Sequence, residues 1–106
     1  MSRMVETVTR KRIEILVDVP LAPVVIRAAA DAGIGGYTLI PVQSGAGRGG
    51  TWREDRVSGA TNKTVFLTIA NEARAQALVD ALAPILDSHG LLLTVGDVQV
   101  VRPERF

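Results

Sequence analysis

The sequence contains no cysteine and a single histidine, and these two scarcities remove several classes of site at once. Without cysteine there is no disulfide framework, no thiolate metal ligand and no thiol nucleophile. His89, beside Gly90, suits a helix end better than a catalytic base or metal ligand. One chain therefore cannot assemble a histidine metal cluster or a Ser-His-Asp triad, and the residue types present give no argument for an enzyme.

Net charge, aromatic residues and long apolar runs are also scarce. Twelve Lys and Arg oppose eleven Asp and Glu, so the net charge of +1 draws the protein to neither nucleic acid nor a membrane surface. Aromatic residues make up 4% of the chain, which disfavours an RNA-binding sheet that stacks bases. No apolar run reaches the roughly 18 residues of a membrane span, and the polar N-terminus is not a signal peptide. Together with the lack of cysteine, these features predict a cytoplasmic protein.

The first half of the chain predicts a β-α-β unit. RIEILVDV, residues 12–19, alternates apolar and charged side chains with the period of a half-buried strand. Pro23 suits the first turn of a helix, and Gly33 stands where a left-handed residue would end that helix. The next apolar stretch predicts a second strand over residues 37–43. Within it, Pro41 removes a hydrogen-bond donor from the ladder and so indicates an edge strand or a bulge.

The second half repeats this order. KTVFLTIA, residues 63–70, predicts a third strand. Asn71 is a candidate N-cap for a second amphipathic helix, which Pro84 should kink or end and which closes near Gly90. LLLTV and DVQVV predict a fourth strand with an interruption at Gly96.

Two such units predict a ferredoxin-like α+β fold within one domain of 106 residues: a four-stranded antiparallel sheet with both helices on one face. We expect Leu16, Phe66 and Thr68 on the uncovered face, which makes part of that face apolar. An apolar uncovered face predicts burial against copies of the same chain. A monomer with a mixed, solvated face is the alternative.

The residues between strands two and three, about 44–62, form a long segment for which the sequence predicts no element of its own. Loops beyond roughly 12 to 15 residues are uncommon in compact domains and are usually functional or disordered. GAGRGG offers amides and the Arg48 guanidinium to an anion, but it matches neither standard phosphate motif, and a plain flexible connection is the alternative. Trp52, Arg53 and Arg56 can contact a partner. Because ordering backbone costs about 1 to 2 kcal/mol per residue, we expect order only when a ligand or partner binds.

GGYTLIPVQSGAGRGG, followed after the loop by NKTVFLTIA, resembles the PII family of signal-transduction proteins over nearly the whole chain. The resemblance implies a ferredoxin-like domain over residues 1–106, a compact homotrimer, and adenine nucleotides bound in the clefts between subunits. It also implies that residues 44–62 are the T-loop that regulates a transporter or an enzyme. Lys63 matches the family's lysine beyond the loop, although its position also suits a strand end. The nucleotide contacts implied by the resemblance are Thr38, Gly45, Gly47, Arg48, Lys63, Arg102 and Arg105.

The chain also departs from the family pattern. Gly49 stands where other members have glutamine, and the loop has no tyrosine to uridylylate. DSHGLLLTVGD replaces the family's phosphate loop before the last strand, so we expect ADP or AMP to bind in preference to ATP. The loop resembles divergent, carboxysome-associated members that respond to bicarbonate and adenine nucleotides. For this small anion the resemblance implies Arg48, Gly49 and Gly50 as donors.

These expectations combine into one functional hypothesis: a non-enzymatic sensor of ADP or AMP, and of bicarbonate, whose T-loop regulates inorganic-carbon uptake in a carbon-concentrating system or another transporter. The alternative is a protein-interaction module that regulates a membrane transporter or an efflux pump without a bicarbonate signal. A phosphatase of the same fold would need a glycine-rich anion cradle after strand one, where this chain has VPLAP.

Overall fold

The structure is a computed structural model that describes residues 6–47, 50–53 and 62–101. The two predicted helices and four predicted strands are all present. Short 3-10 turns precede the first helix and follow the second. In chain order the elements are β1 Val8–Asp18, α1 Ala22–Asp31, β2 Thr38–Val42, β3 Ser44–Gly47, β4 Gly50–Arg53, β5 Lys63–Ala70, α2 Glu72–Leu82 and β6 Leu92–Val100.

The main sheet is antiparallel with the strand order β2-β5-β1-β6, which leaves β2 and β6 at the edges. Pro41 therefore lies on an edge strand, as predicted, where its missing N–H is tolerated. The predicted interruption at Gly96 is wrong. Gly96 pairs with Arg12 in an unbroken ladder, because glycine adopts extended backbone without difficulty and β1 continues beside it.

Both helices pack on the same face of the sheet and form the core with it. The central strand β1 turns every second side chain toward the helices, so its inward and outward residues alternate strictly. Each helix contributes an apolar stripe at helical spacing. The core side chains that are at most 1% exposed are Ile13, Ile15, Val17, Val25, Ala29, Phe66, Leu78 and Leu82.

The orientation of β5 is opposite to the predicted one. Phe66 is fully buried opposite Ile15, and Thr68 is 3% exposed, so both face the helices and not the uncovered side. Tyr37 stacks on Phe66 with the ring centroids 5.2 Å apart. Because both faces of β5 carry apolar residues, the period of two could not indicate which set the helices would cover.

Part of the uncovered face of the sheet is apolar, as predicted; Leu16 lies on it as expected, whereas Phe66 and Thr68 do not. Leu16 pairs with Val65 on one side and Leu92 on the other, and all three are at least partly exposed. Leu92 is 60% exposed and Ile40 is 43% exposed. We call this group the open-face strip; it comprises Leu16, Ile40, Val65, Leu67 and Leu92.

The predicted loop contains a short hairpin, contrary to the expectation that it has no element. Strands β3 and β4 pair antiparallel from Ser44 with Arg53 to Gly47 with Gly50. They form a two-stranded sheet separate from the main one. Two residues separate the strands, which is the spacing of the tightest hairpins, and the glycines do not prevent extended backbone from pairing. The remaining loop residues, 48, 49 and 54–61, lie outside the described residues.

The predicted N-cap of α2 and its end before Pro84 are confirmed, whereas the helix does not continue to the region of Gly90. The Asn71 side chain accepts a hydrogen bond from the backbone N–H of Arg74 at 2.9 Å and so caps α2. Regular α-helix ends at Leu82, and Pro84 lies in the 3-10 turn that follows. Gly33 adopts φ +85° directly after α1. Within the described residues, no helix is long and apolar enough to cross a membrane.

The Asn71 cap provides a test of how α2 is stabilised. Replacing Asn71 with Ala should lower the free energy of unfolding by about 1 kcal/mol, because an N–H of the first helical turn loses its acceptor. Asn71→Asp keeps an acceptor and should retain the stability of the original protein. Urea unfolding at matched protein concentration measures both variants. Equal stability of the Ala and Asp variants would contradict a stabilising cap.

Candidate functional site

A cavity of about 490 Å³ opens beside the first residue of edge strand β2. It lies between the segment that joins α1 to β2 (residues 33–38), the second half of β5 (residues 67–70) and Arg74 of α2. Its volume falls within the range of roughly 300 to 1,000 Å³ that is usual for small-molecule sites. A small organic ligand therefore fits here.

The backbone that forms one wall of this cavity is held at several points. The buried Ile34 donates its N–H to the carbonyl of Ala29 at 2.9 Å. The Thr68 hydroxyl donates to the carbonyl of Gly36 at 2.6 Å, which ties the segment to β5. A Cβ added at Gly35 or Gly36 would meet no atom within 4 Å. The glycine pair therefore leaves open space beside an anchored backbone, which allows a ligand to approach closely.

The polar groups of the cavity are few. Thr38 is exposed at the start of β2 and offers a hydroxyl. Arg74 is the one charged side chain among the described residues that line the cavity. Leu67 and Ile69 provide apolar wall. This combination suits a flat, mostly uncharged group with hydrogen-bonding atoms at its edge, and it does not suit a cation.

The residues implied as nucleotide contacts are distributed over several places. Thr38 lines the main cavity. Gly45 and Gly47 lie in β3, paired with Trp52 and Gly50 of β4. Thr38 is the first residue of β2, whereas the two glycines lie beyond its last residue, and neither glycine is among the described residues that line the main cavity.

Lys63 has a structural partner. Its Nζ lies 2.5 Å from Oδ1 of Asp18, and the lysine side chain is only 20% exposed. The backbone N–H of Val19 donates to the carbonyl of Asn62 at 3.0 Å beside this pair. The point where the loop rejoins the sheet is therefore fastened to the end of β1. Lys63 also lines a smaller cavity of about 280 Å³ together with Leu39.

Several candidate residues cannot be placed in a site. Gly50, Trp52 and Arg53 belong to β4, for which the backbone pairing is described. The candidates that lie outside the described residues are Arg48, Gly49, Arg56, Arg102 and Arg105.

Sequence reasoning missed part of the cavity. Gly35, Gly36, Thr68 and Arg74 were not among the predicted contacts, although all four line it. The glycine pair shortly before the predicted edge strand was an available signal, because two adjacent glycines let a ligand approach the backbone closely. Arg74 gave no such signal, since an arginine in the first turn of an amphipathic helix is ordinarily solvated.

Comparison with solved structures shows the same fold over nearly the whole chain. CPII from Thiomonas intermedia K12, a PII-like protein bound to ADP, AMP and bicarbonate, superposes with a TM-score of 0.89 at 22% identity, covering 97% of this chain and 98% of that one. CPII bound to ADP and bicarbonate gives a TM-score of 0.86 at 22% identity, covering 97% and 99%. A protein of Thermus thermophilus assigned to PII-like signalling gives 0.79 at 25% identity, covering 95% and 98%.

Comparison of sequences gives a family but no individual relative. No curated protein matches the chain significantly. The model of the family described as nitrogen regulatory protein P-II matches residues 10–105, which is nearly the full length. The chain therefore belongs to the P-II family of regulatory proteins.

Proposed function

We propose that this protein is a non-enzymatic sensor that binds ADP or AMP in the cavity beside Thr38. The observation that carries the proposal is the cavity itself, where a glycine pair leaves an anchored backbone open next to an exposed hydroxyl. The CPII structures from Thiomonas support the choice of ligand, because a protein of the same fold binds ADP and AMP. Family membership supports a regulatory role.

The lining of the cavity matches the chemistry of an adenine base. Leu67 and Ile69 offer apolar surface to the faces of the ring. Backbone groups beside Gly35 and Gly36, and the Thr38 hydroxyl, are available to the ring nitrogens and the exocyclic amine. A flat ring with a polar edge is thereby held by apolar faces and a few hydrogen bonds, which is the usual composition of a small-molecule site.

In this proposal the phosphates bind at the loop base, beyond the end of β2. The amides of Gly45 and Gly47 lie on β3, which begins shortly after Val42, and short runs of backbone N–H groups bind anions well. Arg48 and the tail residues Arg102 and Arg105 supply guanidinium groups. Lys63 adds an ammonium that it shares with Asp18. Bicarbonate would bind in the same region, at Arg48, Gly49 and Gly50.

The protein acts as a homotrimer in this proposal. The open-face strip leaves exposed apolar surface on a central sheet, and association of three copies removes that surface from water. The main cavity lies at an edge of the same sheet and is open, so a neighbouring subunit can close it over the ligand. Nucleotide binding and assembly would then stabilise each other.

Regulation would pass through residues 44–62 as a T-loop. This segment follows β2 directly, so a ligand that contacts its base acts on the hairpin of β3 and β4. Trp52, Arg53 and Arg56 would contact the regulated partner, which we propose to be a membrane transporter for inorganic carbon in a carboxysome-based carbon-concentrating system. Occupancy of the cavity would thereby change the surface that the transporter meets.

Calorimetry tests the ligands. ADP should bind the wild-type protein, and bicarbonate should tighten that binding. Thr38→Val should weaken ADP binding about 2- to 10-fold, because it removes one hydroxyl and retains the shape. Thr94→Val is the control, since Thr94 is exposed on β6 and does not line the main cavity. If ADP gives no heat of binding either with or without bicarbonate, the proposed sensor is refuted. If the affinity for ADP is the same with and without bicarbonate, regulation without a bicarbonate signal is favoured.

A charge on the open-face strip tests the assembly. Wild-type protein should have a mass near three times the chain mass of 11.3 kDa. Leu16→Glu should dissociate it, because an unpaired carboxylate would be buried between subunits at a cost of several kcal/mol. Val24→Glu should leave it intact, since Val24 is 46% exposed on α1, on the other side of the sheet. Light scattering after gel filtration measures the mass of the wild type and of both variants. A Leu16→Glu protein with the mass of the wild type would contradict the proposal that the open-face strip lies between subunits.

A further inference from the structure

We infer that Arg74 is a specificity-determining residue that stacks its guanidinium on the purine ring of the ligand. The inference deepens the proposed function and rests on it, because it assigns the base to the main cavity. It concerns a residue of α2 that the sequence did not single out. Four observations lead to it. The Arg74 side chain lies against Gly33, and it has no acidic partner among the described residues. It is also at one end of the proposed nucleotide site, and the other described residues that line the cavity there are uncharged.

The Arg74 side chain lies directly against Gly33. A Cβ added at Gly33 would lie 3.3 Å from Nε of Arg74, 3.7 Å from its Cδ and 3.9 Å from its Cγ. The arginine side chain therefore passes directly across the glycine that ends α1. Three consecutive atoms of the side chain, Cγ, Cδ and Nε, thus lie close to Gly33, and Arg74 lines the main cavity. Less rotamer freedom remains to be lost on binding than for a side chain that extends freely into solvent.

The guanidinium of Arg74 is available to a ligand. Among the described residues, no carboxylate forms an ion pair with it. Two other arginines differ in this respect: Arg12 lies 2.7 Å from Glu14, and Arg27 lies 3.7 Å from Asp31. A ligand would thus meet a guanidinium that does not first have to leave an acidic partner within this part of the chain.

The position of Arg74 assigns it to the base and not to the phosphates. It lines the same cavity as Thr38, at the first residue of β2. The strand then runs to Val42, which is roughly 13 Å away at about 3.3 Å per residue, and Val42 lines a different cavity. The proposed phosphate contacts at Gly45 and Gly47 lie beyond that end. A nucleotide that reaches from the cavity to the hairpin presents its base to Arg74.

The walls of the cavity favour stacking over pairing with an anion. The described lining includes no other charged side chain, and Leu67 and Ile69 leave apolar surface for a ring. A guanidinium is planar and weakly hydrated, and it stacks well on aromatic faces. A purine has two fused rings and a pyrimidine has one, so the larger ring system makes the larger contact. Arg74 therefore favours ADP over a pyrimidine nucleotide with the same ribose and phosphates.

The experiment compares ADP with CDP on matched variants by calorimetry at low and high salt. Arg74→Ala should weaken ADP binding about 3- to 30-fold and CDP binding less, so that the preference for ADP narrows. Arg74→Lys should restore only part of the preference for ADP over CDP, since an ammonium lacks the planar surface of a guanidinium. Arg27→Ala, on the exposed face of α1, should behave as wild type. Circular dichroism and thermal unfolding verify the fold of each variant.

Three other outcomes would contradict the inference, and they differ in whether the proposed function also fails. Equal loss of ADP and CDP affinity, with a weaker dependence on salt, would mean that Arg74 contacts phosphate and would overturn the inference. Unchanged ADP affinity in Arg74→Ala, with normal binding by wild type, would refute the role of Arg74 alone. Failure of the wild type to bind either nucleotide would refute the proposed function, and the inference with it.

Discussion

Pairing of β1 on both sides is the constraint on which the rest of this structure depends. Its neighbours β5 and β6 hold it in extended geometry, so successive side chains must alternate between the two faces. Once the helices cover Ile13, Ile15 and Val17, Leu16 must lie on the opposite face with Arg12 and Glu14. The apolar core and the uncovered apolar surface are consequences of the same alternation, and the helices can bury only one of them.

The same geometry explains where the cavity lies. Helix α1 must end and the chain must turn to reach β2 at the edge of the sheet, and it does so through a short segment after Gly33. That segment crosses the end of β5 and meets the first turn of α2, where Arg74 passes over Gly33. The cavity is therefore assembled from three elements that are distant in sequence. The hairpin begins at the other end of β2, so one short strand separates the proposed base site from the proposed regulatory segment.

Local features that depend on a few neighbouring residues were predictable. The alternation of β1, the edge position of Pro41, the Asn71 cap and the end of α2 before Pro84 each follow from near-neighbour sterics or hydrogen bonds. For the site, the resemblance to the PII family pointed to Thr38, because the motif that carries it is contiguous in sequence; Thr38 lines the main cavity, and its contact with a nucleotide remains a prediction. The positions of the phosphate contacts remain predictions.

By itself, the sequence determined the four main strands and two helices, the ferredoxin-like fold, the family and the absence of cysteine chemistry, because these depend on periodicity, composition and contiguous motifs; it did not indicate the hairpin of β3 and β4. Only the tertiary structure decided that Phe66 faces the helices, that Lys63 pairs with Asp18, and that Arg74 lies over Gly33 in the cavity. Each of these is a contact between elements that lie far apart in the chain. No local pattern encodes such a contact, because it depends on which face of each element the packing of the whole domain covers.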